Sequence, residues 1–136
     1  MTGLEGKFSL RFTAALAMLG ENTGLTANYN EAKVSDPQIV AVRDKIIVVP
    51  HSEMGLAEAQ IVVNMKDGSA YRQSADVETP ESDLARQWSR LSSKFTDNAT
   101  PVIGAARTHA LIEVVGALEQ CHDIGNVVAL AVDDGR

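Results

Sequence analysis

Lys7 and Arg11 stand four residues apart near the start of the chain, so on a helix they share one face a single turn apart. An ammonium and a guanidinium placed this way could hold one substrate carboxylate between them, the first as a point charge and the second as a planar fork. Ordinary solvated surface charges are the plain alternative. His51 lies beside Ser52 and Glu53, where an imidazole could act as a base near neutral pH, although the same residues read as a polar loop. His109 falls inside a helical stretch and reads as packing. His122 reads as a helix C-terminal cap, where the helix dipole favours an imidazolium. Cys121 precedes that histidine, yet a helix-end thiol without a third group reads as a small buried residue rather than a nucleophile. The residues alone assign no catalytic side chain.

Other chemistries find less support. No His-Glu-x-x-His or Cys-x-x-Cys spacing occurs, so no metal site is expected. The glycines at 3, 6, 20, 24 and 55 form no phosphate-cradling or dinucleotide pattern, and no cofactor is expected. With 12 scattered basic residues against 18 acidic ones, a net charge of −6 opposes nucleic-acid binding, which needs clustered Lys and Arg. One cysteine supports neither an internal disulfide nor an iron–sulfur cluster, which fits a reducing compartment. There is no basic n-region with an apolar run and no stretch near the roughly 20 apolar residues of a membrane span, so the expected location is the cytoplasm, away from membranes.

The elements that must position these groups follow from the apolar spacing. Phe8, Phe12, Ala15, Leu16 and Leu19 predict one amphipathic helix that stops at Gly20. Asn22, Gly24, Asn28 and Asn30 predict turns and caps, with Leu25 and Tyr29 as anchors. Asp36-Pro37 predicts an N-cap and first turn of a helix running to about Asp44. Ile46, Ile47, Val48 and Val49, closed by Pro50, predict a buried strand. Two more strands, at 60–66 and 69–75, are predicted around an Asp67-Gly68 hairpin turn. Leu84, Trp88, Leu91 and Phe95 predict a helix, Pro101 the start of a second long one, and residues 127–131 a short last one. Gly104 and Gly116 would fall inside the second long helix, where close packing is the simplest reason for them. The order gives an α+β class: a small three-stranded, largely antiparallel sheet with its hairpin at 67–68, packed against N- and C-terminal helices in a single domain over 1–136.

Several segments in the right order resemble the MmgE/PrpD family. Its smaller domain opens with a pattern like KFSLxYxxAxAL, matched by Lys7, Phe8, Ser9, Leu10, Phe12 and Ala15, with Ala17-Met18-Leu19 one place late. A DPxVxxLrxKVxV pattern is matched by Asp36, Pro37, Ile39, Val42, Arg43, Lys45, Ile46 and Val48. Val62-Val63, Asp67-Gly68 and Tyr71-Arg72 match its strand, DG turn and strand, and Leu118-Glu119 with Asp123-Ile124 match its end. In the helix with the family's eLxxKF pattern this chain has Leu84, Gln87 and Trp88, so the lysine is absent.

The resemblance implies lyases and isomerases of small di- and tricarboxylates, such as 2-methylcitrate dehydratase, cis-aconitate decarboxylase and iminodisuccinate epimerase, working without a redox cofactor. It also implies homodimers, and a large helical domain that supplies most of the active site. Only Met1 to Gly6 precede the matching block, so the helical domain is expected to be absent and the chain to be inactive alone. The family's tyrosine after the FSLx step is Phe12 here, which can shape a pocket but cannot donate a hydrogen bond. The expected substrate-contacting residues are therefore Lys7, Arg11 and Phe12, acting only once a helical-domain partner completes the site. The alternative is a non-catalytic module whose bare apolar faces support self-association or bind another protein.

Overall fold

The computed structural model describes residues 1–132, which form two compact units: Met1–Val48 together with the chain from Ala85 onward, and Val49–Leu84. The first unit starts with two short helices, not one. Thr2 caps α1 (Gly3–Lys7) in a reciprocal capping box with Glu5, and Ser9 caps α2 (Leu10–Met18) through its hydroxyl, which accepts from the Phe12 N–H at 3.2 Å. Ser9 competes for the backbone better as a cap than as a helix-interior residue, so the predicted single helix breaks at Phe8-Ser9. Phe8, expected on the buried stripe, is 82% exposed.

A 3-10 turn (Thr26–Asn28) and α3 (Glu31–Val34) follow. Next comes α4 (Pro37–Arg43), which starts at the predicted Asp36 cap, whose carboxylate accepts from the N–H groups of Gln38 and Ile39. α2, α3 and α4 enclose the main core: Phe12, Ala15, Leu16, Val34 and Ile39 are buried, with Tyr29, Val42 and Ile46 packed at its border. The Phe12 and Tyr29 rings meet edge to face at 6.0 Å between centroids.

The predicted third strand is not formed. Ile46 to Pro50 has no ladder partner, and apart from Ile46 the run is exposed, Ile47 at 84%. Strand propensity describes fit to a half-buried pleated neighbour, and here the sheet ends at two strands.

In the second unit β1 (Glu58–Asn64) pairs antiparallel with β2 (Ala70–Asp76), Glu58 opposite Asp76 and Asn64 opposite Ala70. The hairpin is where it was predicted, but its turn is longer. The Met65 N–H bonds the Ser69 carbonyl at 2.8 Å, leaving Lys66, Asp67 and Gly68 as the loop. Among these only Gly68 has a positive φ, of 88°. The two-residue turn predicted from Asp67-Gly68 needs positive φ at both positions, so the three-residue form with glycine in the left-handed place is adopted.

α5 (Leu84–Ile103) runs through Pro101, which the sequence marked as the start of a new helix. Pro101 lies in the last turn, where it forfeits one backbone bond, and the true break is Gly104, at φ 81°. α6 (Ala105–Gly116) begins after it. Gly104 thus serves the backbone, and a Cβ there would meet nothing within 4 Å, whereas one on Gly116 would stand 3.2 Å from Trp88 Cζ2. A second 3-10 turn (Leu118–Gln120) leads to α7 (Ile124–Ala131), capped by Asp123. The class is α+β, with a two-stranded sheet in place of three.

Candidate functional site

The three expected contact residues do not share one open face. Lys7 is exposed and closes α1, while Arg11 is the second residue of α2, so the break at Phe8-Ser9 separates the pair that a continuous helix would have stacked. Arg11 turns toward the end of α4, where its Nε and Nη2 donate to the Arg43 carbonyl at 3.2 and 3.1 Å. That carbonyl, one of those a helix leaves without an internal partner, also accepts the Ile46 N–H at 3.1 Å. Arg11 Nη2 also lies 3.6 Å from Asp44 Oδ1, and the same oxygen takes Arg43 Nη2 at 2.9 Å. Two guanidiniums around one carboxylate leave a net positive cluster at this corner, with Arg11 about half exposed.

Phe12 is 0% exposed and packs in the core, as its place on the apolar stripe of the helix predicts. Its aromatic ring is what α2 buries against α4 and Tyr29, so its role here is to hold Arg11's helix in place.

The remaining candidates are exposed or half-buried. His51 is exposed in the loop after the apolar run, His109 is exposed on α6 where packing was predicted, and His122 is exposed ahead of the Asp123 cap. Cys121 is half-buried, its Sγ donating to the Asp123 carbonyl at 3.3 Å. Among the described residues no group of three or more His, Cys, Asp or Glu could hold a metal ion, and no helix is long and apolar enough to cross a membrane.

The carboxyls held below the usual carboxylate range are structural. Glu5 is lowered first by the Thr2 N–H, which donates to it at 2.6 Å, and Asp67 first by the Ser69 hydroxyl, also at 2.6 Å, then by the Ser69 N–H. Each serves a cap or a turn.

A groove of about 460 Å³ lies between the 22–24 loop and α5, lined on the helix side by Arg90 and Lys94 among others. Sequence reading did not single out these cations. The signal was available: two like charges at i and i+4 on an amphipathic helix, a spacing that costs helix stability unless something is placed against it.

Comparison with curated proteins and comparison with solved structures each gave no significant match. The family model described as the MmgE/PrpD C-terminal domain matches residues 1–120, which is most of this 136-residue sequence and includes α4, the hairpin and α5. The chain belongs to the MmgE/PrpD C-terminal domain family.

Proposed function

We propose that this chain is the smaller α+β piece of an MmgE/PrpD-like lyase or isomerase of small di- or tricarboxylates, and that it turns over no substrate by itself. The family match supports the reading most directly. Proton movement beside a carboxylate needs a base together with fixed cations that stabilise the enolate-like charge. In this reading the corner around Arg11, with Lys7 nearby in sequence, supplies cationic charge, Phe12 supports it from within, and the base comes from a helical body in the same or another chain. The exposure of His51, His109 and His122 favours a base from elsewhere.

The test is proton exchange and dehydration of citrate-like and aspartate-like acids followed by NMR, with this chain alone and mixed with a helical domain of the family. Turnover only in the mixture is expected, and Lys7→Ala or Arg11→Ala should then weaken substrate binding. Turnover by the chain alone would overturn the reading.

A second reading, a self-associating or protein-binding module, is favoured by the apolar stripe of α5. Trp88, Leu91 and Phe95 remain 43, 55 and 39% exposed, and α5 buries no residue completely. Stripes of this kind mark interaction surfaces. Light scattering across a concentration series checks it: a clean monomer at high concentration counts against self-association.

A further inference from the structure

We propose that the groove between the 22–24 loop and α5 binds a small oxyanion carrying two or more negative charges. Ser89, Arg90, Ser93, Lys94 and Asp97 line its helix side, at spacings that fall on one face of α5, and Asn22 with Gly24 forms the other wall. The volume of about 460 Å³ admits a tricarboxylate, or a smaller phosphate with water beside it.

The wall is fixed before any ligand arrives. Asn22 Nδ2 donates to Asp97 Oδ2 at 2.9 Å, Asn98 Nδ2 donates to the Gly24 carbonyl at 3.0 Å, and Asn98 Oδ1 accepts the Thr26 N–H at 2.8 Å. The Lys94 stem runs alongside Gly24, its Cγ and Cδ 3.8 and 3.9 Å from where a Cβ would stand. Among the described residues neither Arg90 nor Lys94 has a side-chain hydrogen bond or ion pair, so neither cation of this like-charged pair is held by a carboxylate. A bound oxyanion would supply that partner, taken by the guanidinium as a fork and by the ammonium as a point charge, with the two serine hydroxyls as neutral donors. Asp97, tied to Asn22, is the opposing charge on the lining, and two cations against one carboxylate leave the groove net positive on a chain whose total charge is −6.

The site is independent of the carboxylate-enzyme reading, since binding here and turnover fail separately. The test is a ¹⁵N–¹H NMR titration of the whole chain with inorganic phosphate and, separately, with citrate at matched ionic strength. Saturable amide shifts confined to residues 22–26 and 88–98 are expected. Binding should weaken at least about tenfold in the Arg90→Gln, Lys94→Gln double variant and tighten about two- to fivefold in Asp97→Asn, as removal of one opposing charge predicts. The tighter of the two anions identifies the source as phosphoryl or carboxylate. Shifts that do not saturate, or that survive the double variant, would overturn the proposal. Should the double variant lose its fold, Asp97→Asn decides alone: tightening supports the site, and unchanged or weaker binding overturns it.

Discussion

The N-terminal helices and α5 are both amphipathic, but only the former close on a fully buried core. From Phe12 to Ile39 the apolar residues close on one another, each short helix starts from a side-chain cap, and Tyr29 seals the edge of the core. α5 has a stronger separation of apolar and polar faces, yet its stripe of Trp88, Leu91 and Phe95 stays partly open, and α7 leaves Ile124 and Val128 exposed. Short helices gain most of their stability from packing, so the first region is stabilised internally while the second has apolar area still to bury. The difference fits a chain completed by another surface, which is the common ground of the two functional readings.

The contrast is sharpest for two phenylalanines. Phe12→Ala should destabilise the chain by about 3–5 kcal/mol through lost burial and the cavity left behind, whereas Phe95→Ala should stay within about 0.5 kcal/mol in the chain alone. Urea denaturation of both variants checks this, and equal losses would break the comparison. The caps come next. Asp36→Ala leaves the Gln38 and Ile39 N–H groups without their acceptor and should cost about 1 kcal/mol, read as a shift of the same urea midpoint.

The smallest effect belongs to the hairpin turn. The folded Asp67 carboxyl titrates below its unfolded value because the Ser69 hydroxyl and N–H donate to the charged form. Its contribution is therefore present above the unfolded pKa and lost as pH falls through the folded one. An NMR titration should place the Asp67 midpoint below the usual carboxylate range, and Ser69→Ala should move it back up.

Much of this was legible in the sequence because it depends on local chemistry. Asp36-Pro37 specified a helix start that needs only its own two residues, and α4 begins there and ends beside Asp44 as predicted. Asp67-Gly68 marked the hairpin for the same reason, although the number of residues in the turn depends on how the two strands register. Ile46 to Val49 shows the limit: a β-branched run states a preference, but a strand exists only beside another, and that partner is a tertiary fact. Pro101 and Gly104 show another, because a proline is tolerated in a last turn and the positive φ of Gly104 decides where the helix ends. The candidate site was less legible than the fold. Lys7 and Arg11 depended on an unbroken helix that Ser9 interrupts by capping the next one, whereas the apolar spacing did place Phe12 on the buried stripe. Arg90 and Lys94 were marked in the sequence by their i and i+4 spacing, but the 22–24 loop that faces them is a tertiary fact.

Amide hydrogen exchange, recorded region by region for the chain alone and with an added helical domain of the family, tests the central claim most directly. The account predicts that residues 10–18 and 37–43 are protected in both samples, while residues 88–100 exchange quickly in the chain alone and slow markedly in the mixture. Protection of 88–100 equal to that of 10–18 in the chain alone, unchanged at every concentration and by the added domain, would contradict it.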